Sequence, residues 1–325
     1  MTRQARAFWF NGSGKSEIRS VTLPASAEGE ALVRTLFTGV SRGTEALVFR
    51  GEVPENQYEV MRAPFQEGDF PWPVKYGYLN VGVVETGRLT GRTVFCLYPH
   101  QTHYVVPESA LTLVPDTVPP ERAVLAGTVE TAVNAVWDAK PLIGDRIAVV
   151  GGGMVGASVA AVLAKFPGAR VQLVDADPGR AAIADRLGVG FADPKAALGS
   201  CDLVVHASAS EAGLETALGL LAPEGTVIEL SWYGDRRISV PLGEFFHSRR
   251  LTVRSSQVGT VARPDRTYAD RMALALDLLA DPVFDTLVTG ESPFDELPSV
   301  LPRLASGELP ALCHRIDYRR EHASS

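Results

Sequence analysis

Residues 146–175 constrain the fold more than any other stretch of this chain. After Arg146 comes an apolar run at 147–150 and then three successive glycines. A segment follows in which Val155, Val159, Val162, Leu163 and Phe166 recur at helical spacing. A second apolar run at 171–174 ends on Asp175. Gly151, Gly153 and Gly156 fit the G-x-G-x-x-G pattern. In that pattern the first glycine permits a sharp turn, the second lets the backbone approach a pyrophosphate, and the third lets the helix pack closely on the strand. The helix expected to begin near Met154 aims its unpaired N–H groups and the positive end of its dipole at the phosphates. Asp175 stands where a carboxylate takes the ribose hydroxyls and repels a 2'-phosphate, so NAD(H) is expected over NADP(H). Arg180, on the following helix, is expected to stack on adenine. The rival reading is a membrane span over 147–166. Three glycines in its first third, the flanking Asp145 and Arg146, and Lys165 inside it argue against that.

Composition narrows the setting. The chain has 325 residues, 46% of them hydrophobic, enough for about two domains. A net charge of −7 offers no basic footprint for nucleic acid. Residues 1–11 lack the charged, apolar and small-residue order of a signal peptide, so a cytoplasmic protein without a membrane partner is expected. Cys96, Cys201 and Cys313 are odd in number and far apart, with no CxxC or zinc-lobe spacing, and read as small buried hydrophobes.

Around the motif the chain changes character. Residues 6–10, 31–37, 79–85, 93–97 and 103–106 are short β-rich runs separated by turn signals. A short helix is expected to open near Thr44. The irregular stretch 51–75, rich in aromatic and charged residues, is expected to be an ordered, substrate-facing cover. A helix is expected over 121–138. Beyond the motif, strands at 202–205, 225–230 and 251–254 alternate with helices at 178–187, 211–221 and 268–279, the pattern of a parallel, doubly wound α/β sheet. The strand at 251–254 belongs at a sheet edge, where its unpaired backbone groups invite a second copy, so a homodimer is expected. A last helix from Phe294 and a strand at 312–316 are expected to return to the β-rich part, followed by a frayed end at 322–325.

The β-rich start, the bridging helix, the glycine motif and the tail together resemble the medium-chain dehydrogenase/reductase superfamily over nearly the whole chain. That resemblance implies a GroES-like catalytic domain from residues 1–118 and 284–325, a Rossmann domain from 119–283, and an active site in the cleft between them. It also implies that Val155 backs the nicotinamide ring and that Ser208 and Ser231 lie along the cofactor. Zinc-dependent members carry a Cys-x-Ser/Thr-Asp element and a Gly-His-Glu element. This chain has Ser41-Arg42-Gly43-Thr44-Glu45 and Gly77-Tyr78-Leu79 instead, and Ser, Arg, Tyr and Leu cannot supply zinc with its thiolate, imidazole or carboxylate ligands. No metal is therefore expected. The Ser-x-Gly-Thr-Glu element resembles the zinc-less branch that includes bacteriochlorophyllide a dehydrogenase, and it carries no substrate with it.

Without a metal, a hydride-transfer site still needs a proton donor beside the reacting oxygen. Tyr78 stands where the family has a metal-binding His, and is either that donor or a core aromatic. Thr44 matches the family's relay hydroxyl, and also suits a helix N-cap. Glu45 matches the acid that orients a zinc ligand; here it is expected to pair with Arg42 or Lys75, or to stay a solvated surface charge. Lys75 is read either as an exposed lysine or as a charge lowering the Tyr78 pKa. His100 and His103 read as unrelated, and His206 as a satisfied buried residue. Glu130 is kept as an acid/base candidate. The function expected is a zinc-independent, NAD-linked alcohol dehydrogenase or ketone reductase for a small or medium-sized organic substrate. A quinone or enone reductase and a redox-silent NAD-binding sensor are the alternatives.

Overall fold

The computed structural model describes residues 3–319 and 321; the frayed end expected at 322–325 lies outside them. The chain divides into two compact units, Met1–Gly127 with Val288–Ser325 and Thr128–Leu287. The sequence put these seams at 118/119 and 283/284.

The second unit is built on six parallel strands. In spatial order they are Gly190–Ala192, Arg170–Val174, Arg146–Val150, Cys201–His206, Leu221–Glu229 and Thr252–Ser255. This is the doubly wound Rossmann order, with the first strand of the unit in the middle. Every residue of 147–150 is buried, because a central strand covered on both faces must be apolar throughout. The stretch 147–166 is thus a strand, a turn and the helix Met154–Leu163. Among the described residues no helix is long and apolar enough to cross a membrane. Strand Thr252–Ser255 lies at the sheet edge with all four residues exposed. The single helix expected over 121–138 is two, Pro120–Ala123 and Ala126–Ala139. The chain tightens at the break, where the Leu125 N–H donates to the Arg122 carbonyl three residues back.

The first unit is the β-rich, GroES-like one. Its larger sheet runs Val288–Pro293, Cys313–Asp317, Glu30–Val40, Asn80–Thr86, Thr93–Cys96 and Thr112–Leu113, with His103–Pro107 also paired to Glu30–Val40. Along Glu30–Val40 alternate residues Ala31, Val33, Thr35 and Phe37 are buried, the period of two that a half-covered strand requires. The tail strand Cys313–Asp317 pairs antiparallel with it. A smaller sheet holds Lys15–Leu23, Arg3–Gly12, Val74–Lys75 and Glu67–Gly68. Strand Lys15–Leu23 escaped the sequence reading because Leu23 is its only buried residue, leaving no apolar period to detect. The irregular stretch 51–75 is held by a short 3-10 turn at Glu55–Gln57 and by the pairing of Glu67–Gly68 with Val74–Lys75.

Glu130 is not an acid/base group. Its carboxylate accepts from Arg271 Nε at 3.0 Å, and both side chains are buried. The same guanidinium donates to Asn134 Oδ1 at 2.5 Å and to the carbonyls of Val258 and Thr260 at 2.6 and 3.3 Å. Asn134 Oδ1 also accepts from the Ala262 N–H at 3.0 Å. One arginine thus staples the loop after the edge strand to the helix Ala126–Ala139. Burial raises the Glu130 pKa and the arginine opposes that rise. Removing one member of such a pair leaves the other charged and buried without compensation. We therefore expect Arg271→Ala to cost about 3–5 kcal/mol in denaturant titration of the purified protein. A loss below ~1 kcal/mol would show that the staple carries no weight.

Candidate functional site

The glycine turn has the local geometry that the spacing implies. Gly151 has φ +105°, open to glycine, and sits so close to the next strand's end that a Cβ there would lie 2.6 Å from Ser208 N. A Cβ on Gly156 would lie 1.9 Å from the Gly151 carbonyl oxygen, so only glycine lets this helix close on its strand. A Cβ on Gly153 would meet nothing within 4 Å, which leaves the backbone there open to a ligand. In the helix Met154–Leu163, Val155 alone is not buried.

Asp175 is locked to this turn. Its Oδ2 accepts from the Gly152 N–H at 2.6 Å and its Oδ1 from the Asp177 N–H at 2.8 Å. Each oxygen keeps a further lone pair for a ligand hydroxyl. Arg180 lays its Cγ against Gly152 and its Nε 3.4 Å from Asp177, so its guanidinium stays beside the turn. Ser208 and Ser231 follow the carboxyl ends of the two strands on the opposite side of the central strand from Asp175. A ligand reaching both sides therefore crosses the glycine turn.

In the β-rich unit, Tyr78 and Thr44 come together. The Tyr78 hydroxyl donates to Ser41 Oγ at 2.7 Å, and the Thr44 side chain is near enough to act on its pKa. Burial raises the phenol pKa; nearby Glu45 adds to the rise, and the Ser41 and Thr44 hydroxyls oppose it. At neutral pH Tyr78 is thus a protonated donor. Thr44 is not an N-cap: helix Arg42–Arg50 starts two residues earlier, with Ser41 at the cap position. Ser41 makes no side-chain cap; its N–H is taken by Glu45 Oε1 at 2.7 Å from the next turn.

Two charge assignments need correction. Glu45 is neither a surface charge nor paired with Arg42 or Lys75. It is fully buried, and its Oε2 lies 2.9 Å from His100 Nε2. His100 Nδ1 lies 2.6 Å from Thr38 Oγ1, which lies 3.2 Å from the Tyr318 hydroxyl. Gly77, at φ +126°, makes room for this ring: a Cβ there would sit 2.9 Å from His100 Cδ2. Lys75 is not exposed and does not serve Tyr78. It is buried, and its ammonium bonds Glu67, Gln101 Oε1 at 2.6 Å and the Tyr98 hydroxyl at 3.4 Å. Burial lowers its pKa, and Glu67 opposes the fall. His103, as expected, is unrelated to His100 and sits 2.7 Å from Arg3.

Sequence reasoning missed Ser41 and His100. The signal available was Gly77, whose left-handed backbone implies close approach by something bulky, but its partner lies 23 residues away and only the fold names it. Among the described residues no three His, Cys, Asp or Glu side chains gather to hold a metal ion. Both nitrogens of His100 are already engaged, one by Glu45 and the other by Thr38. The three cysteines are buried and free, and burial raises Cys96 and Cys313 to about 12, so neither is a ready nucleophile.

No family model and no curated protein sequence matches the chain. Solved structures do. L-idonate 5-dehydrogenase from Escherichia coli superposes with a TM-score of 0.80 at 16% identity, covering 98% of this chain and 99% of that one. 2R,3R-butanediol dehydrogenase from Bacillus subtilis gives 0.79 at 17%, covering 97% and 99%. Alcohol dehydrogenase from Thermus sp. ATN1 gives 0.74 at 21%, covering 96% and 99%. At these identities the likeness establishes the fold.

Tyr76, Tyr78, Tyr98, Tyr104 and Tyr318 all lie in the β-rich unit, and burial raises each of their pKa values above the ordinary 10.0. A raised folded-state value means that the native state holds its protons longer than the unfolded chain does. The stability it contributes is complete below pH 10 and lost as pH climbs toward the folded values. Lys75, shifted down, acts oppositely, but only up to its ordinary 10.5. The midpoint of thermal unfolding should therefore fall steadily above about pH 10.5, with tyrosinate absorbance from these residues appearing as the chain unfolds. A flat profile to pH 12 would contradict it.

Proposed function

We propose that this protein is a NAD(H)-linked oxidoreductase that passes a hydride between nicotinamide and a secondary alcohol or ketone of a small or medium-sized organic molecule, without zinc. The carrying observation is the protonated Tyr78 hydroxyl, set against Ser41 and Thr44 and backed by the buried Glu45–His100 pair, in a chain that also has the glycine turn. The cofactor supplies the hydride chemistry. The residues that hold it are the open backbone at Gly153, the first turn of the helix from Met154, and Asp175.

The protein's own task is the proton. Reducing a ketone leaves an alkoxide that must be protonated, and oxidising an alcohol requires the reverse. Tyr78 is a donor of suitable type, with Thr44 and Ser41 as hydroxyls able to pass or accept its proton. Glu45 holds the Ser41 backbone and thereby the start of the helix that carries Thr44. With hydroxyl donors in place of thiolate and imidazole, polarising the substrate oxygen falls to hydrogen bonds rather than to a Lewis acid.

Turnover of a panel of secondary alcohols, ketones and enones, with NAD and NADP cofactors, tests this. Tyr78→Phe should lower turnover by about 10²- to 10⁴-fold with NADH affinity kept, and Thr44→Val by less. Unchanged turnover in Tyr78→Phe returns that residue to the core. Stoichiometric zinc in active protein overturns the metal-free assignment. Reduction of enones but not ketones replaces the reaction with C=C reduction, and NADH binding with no turnover at all leaves a sensor.

Cofactor preference rests on Asp175, whose charge faces the position of a 2'-phosphate. NADP(H) should bind at least about tenfold more weakly than NAD(H), and Asp175→Ser should narrow that gap. Equal dissociation constants in the unaltered protein would refute the preference.

A further inference from the structure

At the carboxyl edge of the parallel sheet, His206 and Glu229 form a buried hub. His206 is fully buried. Its Nδ1 lies 2.7 Å from Glu229 Oε2, and a carboxylate only accepts, so Nδ1–H is the donor. Nε2, at 2.6 Å, then holds the Ser208 hydroxyl. Glu229 collects further donors: its Oε1 accepts from the Ser231 N–H at 2.7 Å and its Oε2 from the Tyr233 hydroxyl at 3.2 Å. Burial works to raise the Glu229 pKa, but His206 and Ser231 together bring it below the usual value.

Ser208, His206 and Glu229 are hydrogen-bonded in series. A Cβ on Gly213 would lie 2.1 Å from Ser208 Oγ, so the helix Glu211–Leu220 packs closely against one side of this oxygen. What the hub controls is the turn at 207–210. Ala209 has φ +51°, an uncommon conformation for a residue with a side chain, and its neighbours hold it there. Its N–H donates to Ser231 Oγ at 3.1 Å, and its carbonyl accepts from Arg236 at 3.0 Å. Ser208 Oγ, fixed by His206, lies 2.8 Å from Ser210 Oγ. The turn is thus clamped from both ends by the His206–Glu229 pair, against Gly151 of the glycine turn.

We propose that His206 and Glu229 are positioning residues for the half of the dinucleotide distal to adenine, acting through Ser231 and the turn at 207–210. This rests on the cofactor assignment above. With Asp175 on the strand to one side of the glycine turn, the adenosine half lies there. The other half then runs over the strand ends Cys201–His206 and Leu221–Glu229, where this clamped turn forms the surface.

Dissociation constants for NADH and for ADP, which lacks the distal half, separate the possibilities. Glu229→Gln and Ser231→Ala should each weaken NADH binding about tenfold, the cost of one misplaced hydrogen bond, and leave ADP binding within about twofold. The double variant should lose little more than either single one, because both changes release the same turn. Tyr233→Phe, which removes one hydroxyl from the hub and keeps the ring, should reproduce the effect more weakly even if Glu229→Gln folds poorly. Unchanged NADH affinity, equal losses for NADH and ADP, or additive losses in the double variant would each overturn the positioning role. If the unaltered protein binds neither NADH nor ADP, the cofactor assignment itself falls, and this proposal with it.

Discussion

The close approach of Gly156 to the Gly151 carbonyl is the contact on which the Rossmann-type unit depends. With no side chain at either position, the helix Met154–Leu163 rests directly on the turn that leaves strand Arg146–Val150. That contact directs the helix's unpaired N–H groups outward, brings the Gly152 N–H to Asp175, and places Gly151 against the turn after the next strand. One backbone-to-backbone fit thus sets three elements at once. A methyl group at Gly156 would push all of them apart.

Around this frame, both units set a buried charged group beside a fixed partner. Glu45 meets His100, Arg271 meets Glu130 and Glu229 meets His206 across separations of 23 residues or more, and the buried Lys75 meets the exposed Glu67 eight residues away. Burying one charge alone costs several kcal/mol, so each member fixes where its partner must be. These pairs act as registration devices. Glu45 fixes the start of the helix that carries Thr44, Lys75 ties the irregular stretch 51–75 to Gln101, Arg271 staples a loop, and His206 with Glu229 clamps a strained turn. The hydroxyls of Thr44, Tyr78, Ser208 and Ser231 all lie beside or within these networks, which hold their orientations.

Where the chain's information is local, it could be read directly. The strand–turn–helix–strand–acid unit rests on residues within 30 positions of one another, and its apolar periods and glycine spacings arise from backbone geometry that does not wait for the rest of the fold. The alternation of strands and helices after it, the β-rich character of the opening residues and the edge position of Thr252–Ser255 follow in the same way. Strand Lys15–Leu23 was hidden because its pairing with Arg3–Gly12 buries almost nothing of its own.

The charged residues were a different matter. A glutamate reads as surface because burying an unpaired carboxylate is costly, and the sequence does not display the partner that removes the cost. Glu45 meets His100 only because strand pairing folds the chain back on itself, and Lys75 is buried only because Glu67 and Gln101 close over it. The sequence alone determined that this chain holds a dinucleotide-type βαβ unit with a carboxylate at its second strand, since short-range sterics dictate it. Tertiary structure decided which acids are buried, which bases answer them and which hydroxyls meet, because those depend on contacts between segments that the chain separates by tens to hundreds of residues.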